Sequence, residues 1–128
     1  MISIYIRADR GAGWPTGTYA IRKDDEQLVL HRHKYPYTNL LDTALLTTSA
    51  ALRSLKSLGY AGADVFMFSD MGLRLLRGET NPSQGTVNVI NEIRELEKVL
   101  HITYDYEDLT KVKKMCPHRK WFHKASGL

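Results

Sequence analysis

One cysteine stands among 128 residues. Cys116 has no second thiol in the chain, so no intramolecular disulfide frames the fold, and a reducing, cytoplasmic setting is the expectation. No apolar run approaches the roughly 18 residues that a membrane span needs. No basic region precedes an apolar core at the start, so MISIYIRADR reads as a strand rather than a signal peptide. Internal repeats and low-complexity segments are also lacking. What remains is ordinary packing in one domain over residues 1–128, and a hydrophobic content of 43% is enough to supply its core. Acidic charge is in slight deficit. The net charge of +4 and pI near 9.2 permit a polyanionic partner without requiring one.

The chain is organised around ADVFMFSDMG, residues 63–72. Val65, Phe66, Met67 and Phe68 form a continuous apolar run between Gly62 and the pair Ser69-Asp70. Such a run predicts a strand covered on both faces, with parallel neighbours. Asp70 falls at its carboxyl end, where open α/β sheets collect their chemistry. Ser69 or Asp70 can equally cap the helix that follows, since both residue types are preferred there.

Around this stretch, hydrophobic periodicity predicts the other elements. In residues 2–9, Ile2, Ile4 and Ile6 alternate with Ser3, Tyr5, Arg7 and Asp9, a strand ending on a carboxylate. A Gly- and Pro-containing loop, RGAGWPTG, leads to strands over 18–23 and 26–33, joined by a turn at Asp24-Asp25 as an antiparallel meander. Leu41, Leu45, Thr48, Leu52 and Leu55 form one stripe of a helix from about 39 or 40 to 58, with Thr38 or Asn39 as N-cap and Gly59 as its stop. The central strand over 64–69 follows, then a short helix over 71–77. A second clear helix runs over 87–99, a fifth strand over 101–106 and a short terminal helix over 118–125. Three meandering strands followed by crossovers predict a five-stranded mixed α/β sheet with helices on both faces.

This element order, with these residues at the element ends, resembles the ribonuclease H family. The carrying segments are IYIRAD running into RGAGWPTGTYAI, the helix TNLLDTALLTTSAALRSLKSLGY, VFMFSD running into MGLRLL, and NVINEIRELEKVLHITYDY. The resemblance covers nearly the whole chain, and FSD is its best match. It implies a ribonuclease H-like fold and a divalent-metal-dependent nuclease cutting the RNA strand of RNA/DNA hybrids. Mg²⁺ or Mn²⁺ would be the cofactor, and an RNA/DNA hybrid or double-stranded RNA the partner. The family holds its two cations with four acidic residues, and this chain matches the set incompletely. Asp70 matches one position and Asp9 a second by context, although counting back from TYAI puts Arg7 nearer the expected spacing; Ala44 falls where a helix Glu is expected. Asp42 lies close by, but about 200° around the helix. His123 falls near the fourth position. The incomplete set keeps a second reading open: a degenerate module that binds nucleic acid or a protein partner without cleavage. A small α/β domain with no nucleic-acid role is a third.

The candidate metal ligands are therefore Asp9, Asp70 and Asp42, because hard cations take oxygen donors. Turn and cap chemistry is the competing use of all three. The resemblance also implies that His118 moves protons and helps release product. KVKKMCPHRKWFHK is the strongest charge signal in the chain. In it Lys113, Lys114, Arg119 and Lys120 can neutralise phosphates and Trp121 can stack, or the segment is a solvated helix face anchored by its aromatics. Arg10 and Trp14 in the first loop can reach a hybrid's minor groove, or Trp14 can cover the sheet edge. His31 and His33 share a strand face; an H-x-H pair can bind a transition metal, but no third ligand accompanies it.

Overall fold

A computed structural model describes residues 1–10 and 13–106. The alternating N-terminal segment is β1, Ile2–Asp9. It pairs antiparallel with β2, Thr16–Lys23, which pairs antiparallel with β3, Glu26–Lys34. The helix α1, Leu40–Ser57, carries the chain to β4, Gly62–Met67, parallel to β1. The helices α2, Asp70–Leu76, and α3, Val87–Glu97, precede β5, His101–Tyr106, parallel to β4. The strand order is β3-β2-β1-β4-β5, so β1 and β4 are central neighbours. This is the mixed five-stranded sheet that the pattern predicts.

One face of the sheet makes the main core. Ile4, Ile6, Ile21, Val65 and Met67 pack with Leu45, Leu52 and Leu55 of α1, Leu75 and Leu76 of α2, and Ile93 of α3. Fully burying each of the larger aliphatic chains contributes about 1.5–3 kcal/mol. The opposite face buries Tyr5 and Ala20, with Phe66 and Phe68 packed against them. The terminal helix expected over 118–125 lies outside the described residues.

α1 begins as the sequence predicts. Asn39 is the N-cap, and its side chain accepts from the Asp42 N–H. At the other end Gly59 adopts a φ of 87°, a left-handed conformation that closes the helix at little cost to a residue without Cβ. α1 sits close on β2 because of Gly17: a Cβ there would lie 1.8 Å from the Thr47 hydroxyl. β2 starts two residues earlier than its apolar pattern suggests. Thr16 and Gly17 continue both ladders, opposite Asp9 and Ala8 of β1 and opposite Lys34 and His33 of β3. β4 ends two residues earlier than expected, because Ser69 leaves the sheet to cap α2.

Candidate active site

The carboxyl ends of β1 and β4 lie side by side. Their register pairs Ser3 with Asp64 and Ile6 with Met67. Three residues beyond the last pair stand Asp9 and Asp70, at the same end of adjacent parallel strands. Asp9 is still within β1, opposite Thr16. Asp70 opens α2.

The two carboxylates have different surroundings. Ser69 caps α2: its Oγ accepts from the Gly72 N–H at 3.1 Å. That leaves Asp70 in the first turn, where a negative charge suits the helix dipole. Asp70 also pairs with Arg74 at 3.2 Å, but the two side chains are 69% and 53% exposed. Such a pair contributes at most about 1 kcal/mol, so Asp70 can turn to a cation at little cost. Asp9 is the reverse case. Both of its carboxylate oxygens are buried, and neither has a hydrogen-bond partner among the described residues. Arg7 lies two residues back on the same strand face. Burial lowers the Arg7 guanidinium from its ordinary pKa, and the Asp9 charge draws it partly back up. Arg7 also lies over the Phe68 ring, 4.8 Å from its centroid. A buried anionic oxygen without donors suits a hard cation. The Asp9 oxygens thus have the donor chemistry that a divalent ion takes, and Asp70 lies exposed at the same end of the sheet.

Asp42 does not fit. Its Oδ2 accepts from Asn39 Nδ2 at 3.1 Å, and its Oδ1 accepts from Thr86 Oγ1 at 3.0 Å. Both oxygens are used in fastening the start of α1 to the start of α3. Among the described residues, no group of three or more His, Cys, Asp or Glu side chains is placed to hold a metal ion. The expected convergence of Asp9, Asp70 and Asp42 is not assembled. In its place the first turns of α1 and the strand ends enclose a cavity of about 210 Å³, lined by Ala8, Ala44, Leu41, Phe68 and Ser69 among others. Ala44, where the resemblance would put a Glu, faces this space.

Arg10 directly follows Asp9 and is exposed. Trp14 is 47% exposed and packs on Tyr37 with ring centroids 4.8 Å apart. His31 and His33 lie on β3, the sheet's edge strand, two strands away from β1. His118, Lys113, Lys114, Arg119, Lys120 and Trp121 fall outside the described residues. Two features deserve a place beside these residues. One is the Arg7–Asp9 pair, which the alternation places on one strand face. The other is Tyr35 and Tyr37, which extend the alternating HRHKYPY beyond the strand and could have been found from it.

No protein-family model and no curated protein matches the sequence. Solved structures do match. LC11-RNase H1 in complex with an RNA/DNA hybrid is 16% identical, with a TM-score of 0.77 over 87% of this chain and 88% of that one. RNase H1 from Halobacterium salinarum is 11% identical, with a TM-score of 0.76 over 88% and 89%. The N-terminal RNase H domain of a Mycobacterium tuberculosis protein, solved as a fusion with maltose-binding protein, is 16% identical, with a TM-score of 0.74 over 87% and 91%. With its strand order, parallel β1–β4 pair and long helix after the meander, the chain has a ribonuclease H-like fold.

Proposed function

We propose that this chain is a divalent-metal-dependent ribonuclease that cuts the RNA strand of RNA/DNA hybrids. One observation carries the reading: Asp9 ends β1 and Asp70 follows the carboxyl end of the adjacent parallel strand β4, and the buried Asp9 oxygens lack donors among the described residues. The complex of the similar LC11-RNase H1 with an RNA/DNA hybrid supports the choice of substrate. Asp9 and Asp70 would hold Mg²⁺ or Mn²⁺. When bound, such an ion polarises a phosphoryl oxygen and lowers the pKa of its water. Asp9 contributes charge from a buried position on a rigid strand. Asp70, on an exposed helix turn, exchanges Arg74 for the cation. Arg10, beside them, neutralises a backbone phosphate, and Trp14 meets the shallow groove. Lys113, Lys114, Arg119, Lys120 and Trp121 extend the grip on the nucleic acid, and His118 moves a proton at the leaving oxygen. Discrimination of hybrid from DNA would rest on backbone shape and 2′-hydroxyls.

A second reading has its own observation. Ala44 and Ala8 line the space beside the two aspartates, and Asp42 is engaged elsewhere. A module that binds a hybrid or double-stranded RNA without cutting it suits that arrangement. A labelled hybrid separates the two. Cleavage with Mg²⁺ or Mn²⁺ supports the nuclease. Salt-dependent binding with no cleavage in either metal supports the binding module. No binding at modest salt would overturn both.

A further inference from the structure

The edge of the sheet far from Asp70 carries a different kind of surface. Among the described residues β3 pairs only with β2, and none of them pairs with its outer edge. On one face of that edge the rings run in sequence. His31 and His33 are stacked with centroids 6.2 Å apart, and Tyr35 meets His33 edge-on at 4.7 Å. Tyr19 of β2 backs His31 at 5.4 Å. The hairpin continues past the strand, where the Tyr35 N–H donates to the Pro15 carbonyl at 2.8 Å. There Trp14 and Tyr37 add two more rings in contact. On the other face of β3 stand Arg32 and Lys34, both exposed and without an ion pair among the described residues.

Two features separate this edge from an ordinary solvated strand. The first is charge. Residues 27–41 contain no Asp or Glu, and neither do residues 10–23, the strand and loop beside them. Edge strands use charge to discourage pairing, but here the charge is of one sign. The second is Tyr37. It is 89% exposed and holds a φ of 63°, a left-handed conformation that an aromatic residue rarely adopts. An exposed ring kept in an unfavourable backbone conformation is poorly explained by packing, and such outliers cluster at ligand-binding positions.

We propose that the β3 edge, from His31 to Tyr37 with Trp14, is a track for single-stranded nucleic acid. A strand laid along the edge meets aromatic rings on one side and Arg32 and Lys34 on the other. Unpaired bases stack on the rings, and the two cations neutralise phosphates. A duplex keeps its bases stacked internally, so its bases cannot use the rings. The surface thus selects unpaired over paired nucleic acid. Its Trp14 end lies at the same end of the sheet as Asp9, while His31 and His33 lie on the edge strand, and binding there needs no cleavage at Asp9 and Asp70.

The test is binding of a fluorescein-labelled oligothymidylate of about 12 nucleotides to the full chain, followed by anisotropy. Tyr37→Gly removes a ring where glycine suits the backbone, so the fold is retained; a thermal unfolding midpoint checks this. Tyr37→Gly and His33→Ala should each weaken binding about fivefold or more, with the salt dependence unchanged. Arg32→Gln with Lys34→Gln should flatten the salt dependence. Asp70→Asn should bind the oligonucleotide as the parent does, whatever its effect on a hybrid. Absence of binding at low salt would overturn the proposal. So would ring variants that bind within twofold of the parent, because charge alone would then account for the affinity.

Discussion

Thr86 donates its hydroxyl to Asp42 at 3.0 Å, joining the first turns of α3 and α1. The same carboxylate takes the Asn39 amide on its other oxygen. A residue only two positions from Ala44 is thus part of the scaffold. Asp42→Ala should lower unfolding free energy by about 1–2 kcal/mol in a denaturant titration, through two lost hydrogen bonds and a weakened helix start. Hybrid binding and cleavage by the folded variant should equal those of the parent.

The cavity beside Ala44 makes the opposite prediction for its neighbour. Ala44→Glu places a carboxylate toward Ala8 and Ser69, in a space of about 210 Å³. Without metal, the buried charge should cost about 1–3 kcal/mol. With Mg²⁺ the variant should recover that loss and cut hybrid at least tenfold faster than the parent, a change of about 1.4 kcal/mol in the barrier. Single-turnover cleavage with and without Mg²⁺ checks both halves.

Asp9 sits buried without a donor among the described residues, so in the absence of a cation its charge is a burden on the fold. Asp9→Asn should unfold at an equal or higher temperature than the parent in chelator. Adding Mg²⁺ should raise the parent's midpoint and leave the variant's unchanged, because only a ligand of the folded state shifts the transition. Calorimetry in chelator and in excess Mg²⁺ reads both effects.

Tyr104 ties β5 to α3: its hydroxyl donates to Glu97 Oε2 at 2.5 Å, and Arg94 holds the same carboxylate at 2.7 Å. Arg94 also reaches the Leu76 carbonyl at 2.9 Å, near the end of α2. Burial first, then the Glu97 hydrogen bond and charge, push the phenol well above its ordinary value of 10.0. Above that ordinary value the unfolded chain loses this proton while the folded chain keeps it. Stability is therefore full below about pH 10 and declines as pH rises, by up to about 1.4 kcal/mol per pH unit for one group. Tyr35 is shifted in the same direction, chiefly by burial. Tyr104→Phe should thus reduce the alkaline slope by about one proton without removing it, as measured by urea unfolding between neutral and alkaline pH.

Much of the architecture was legible because periodicity reports burial. The alternating Ile2, Ile4 and Ile6 and the leucine stripe of α1 each have one face to bury, and the structure buries it. The ends of β2 and β4 were less legible. Thr16 and Gly17 join the ladder through backbone alone, which side-chain pattern does not record. Ser69 could serve as the end of a strand or as a cap, and Gly72 decides by donating to it. At the site, sequence placed Asp9 and Asp70 at element ends, and the parallel β1–β4 pairing puts those ends on the same side of the sheet. It could not say which way Asp42 turns, because that depends on Thr86, 44 positions away. Nor could it show that the Asp9 oxygens are buried without a donor among the described residues. Tyr37 extends the alternating HRHKYPY, but its left-handed backbone conformation was not legible in the sequence.

Cleavage of a labelled RNA/DNA hybrid in Mg²⁺ tests most directly whether Asp9 and Asp70 act together. The parent chain should cut the RNA strand, and Asp70→Asn should reduce the rate by a hundredfold or more, about 2.7 kcal/mol, while hybrid binding stays within a few fold. Cleavage by Asp70→Asn at the parent's rate would contradict that joint action.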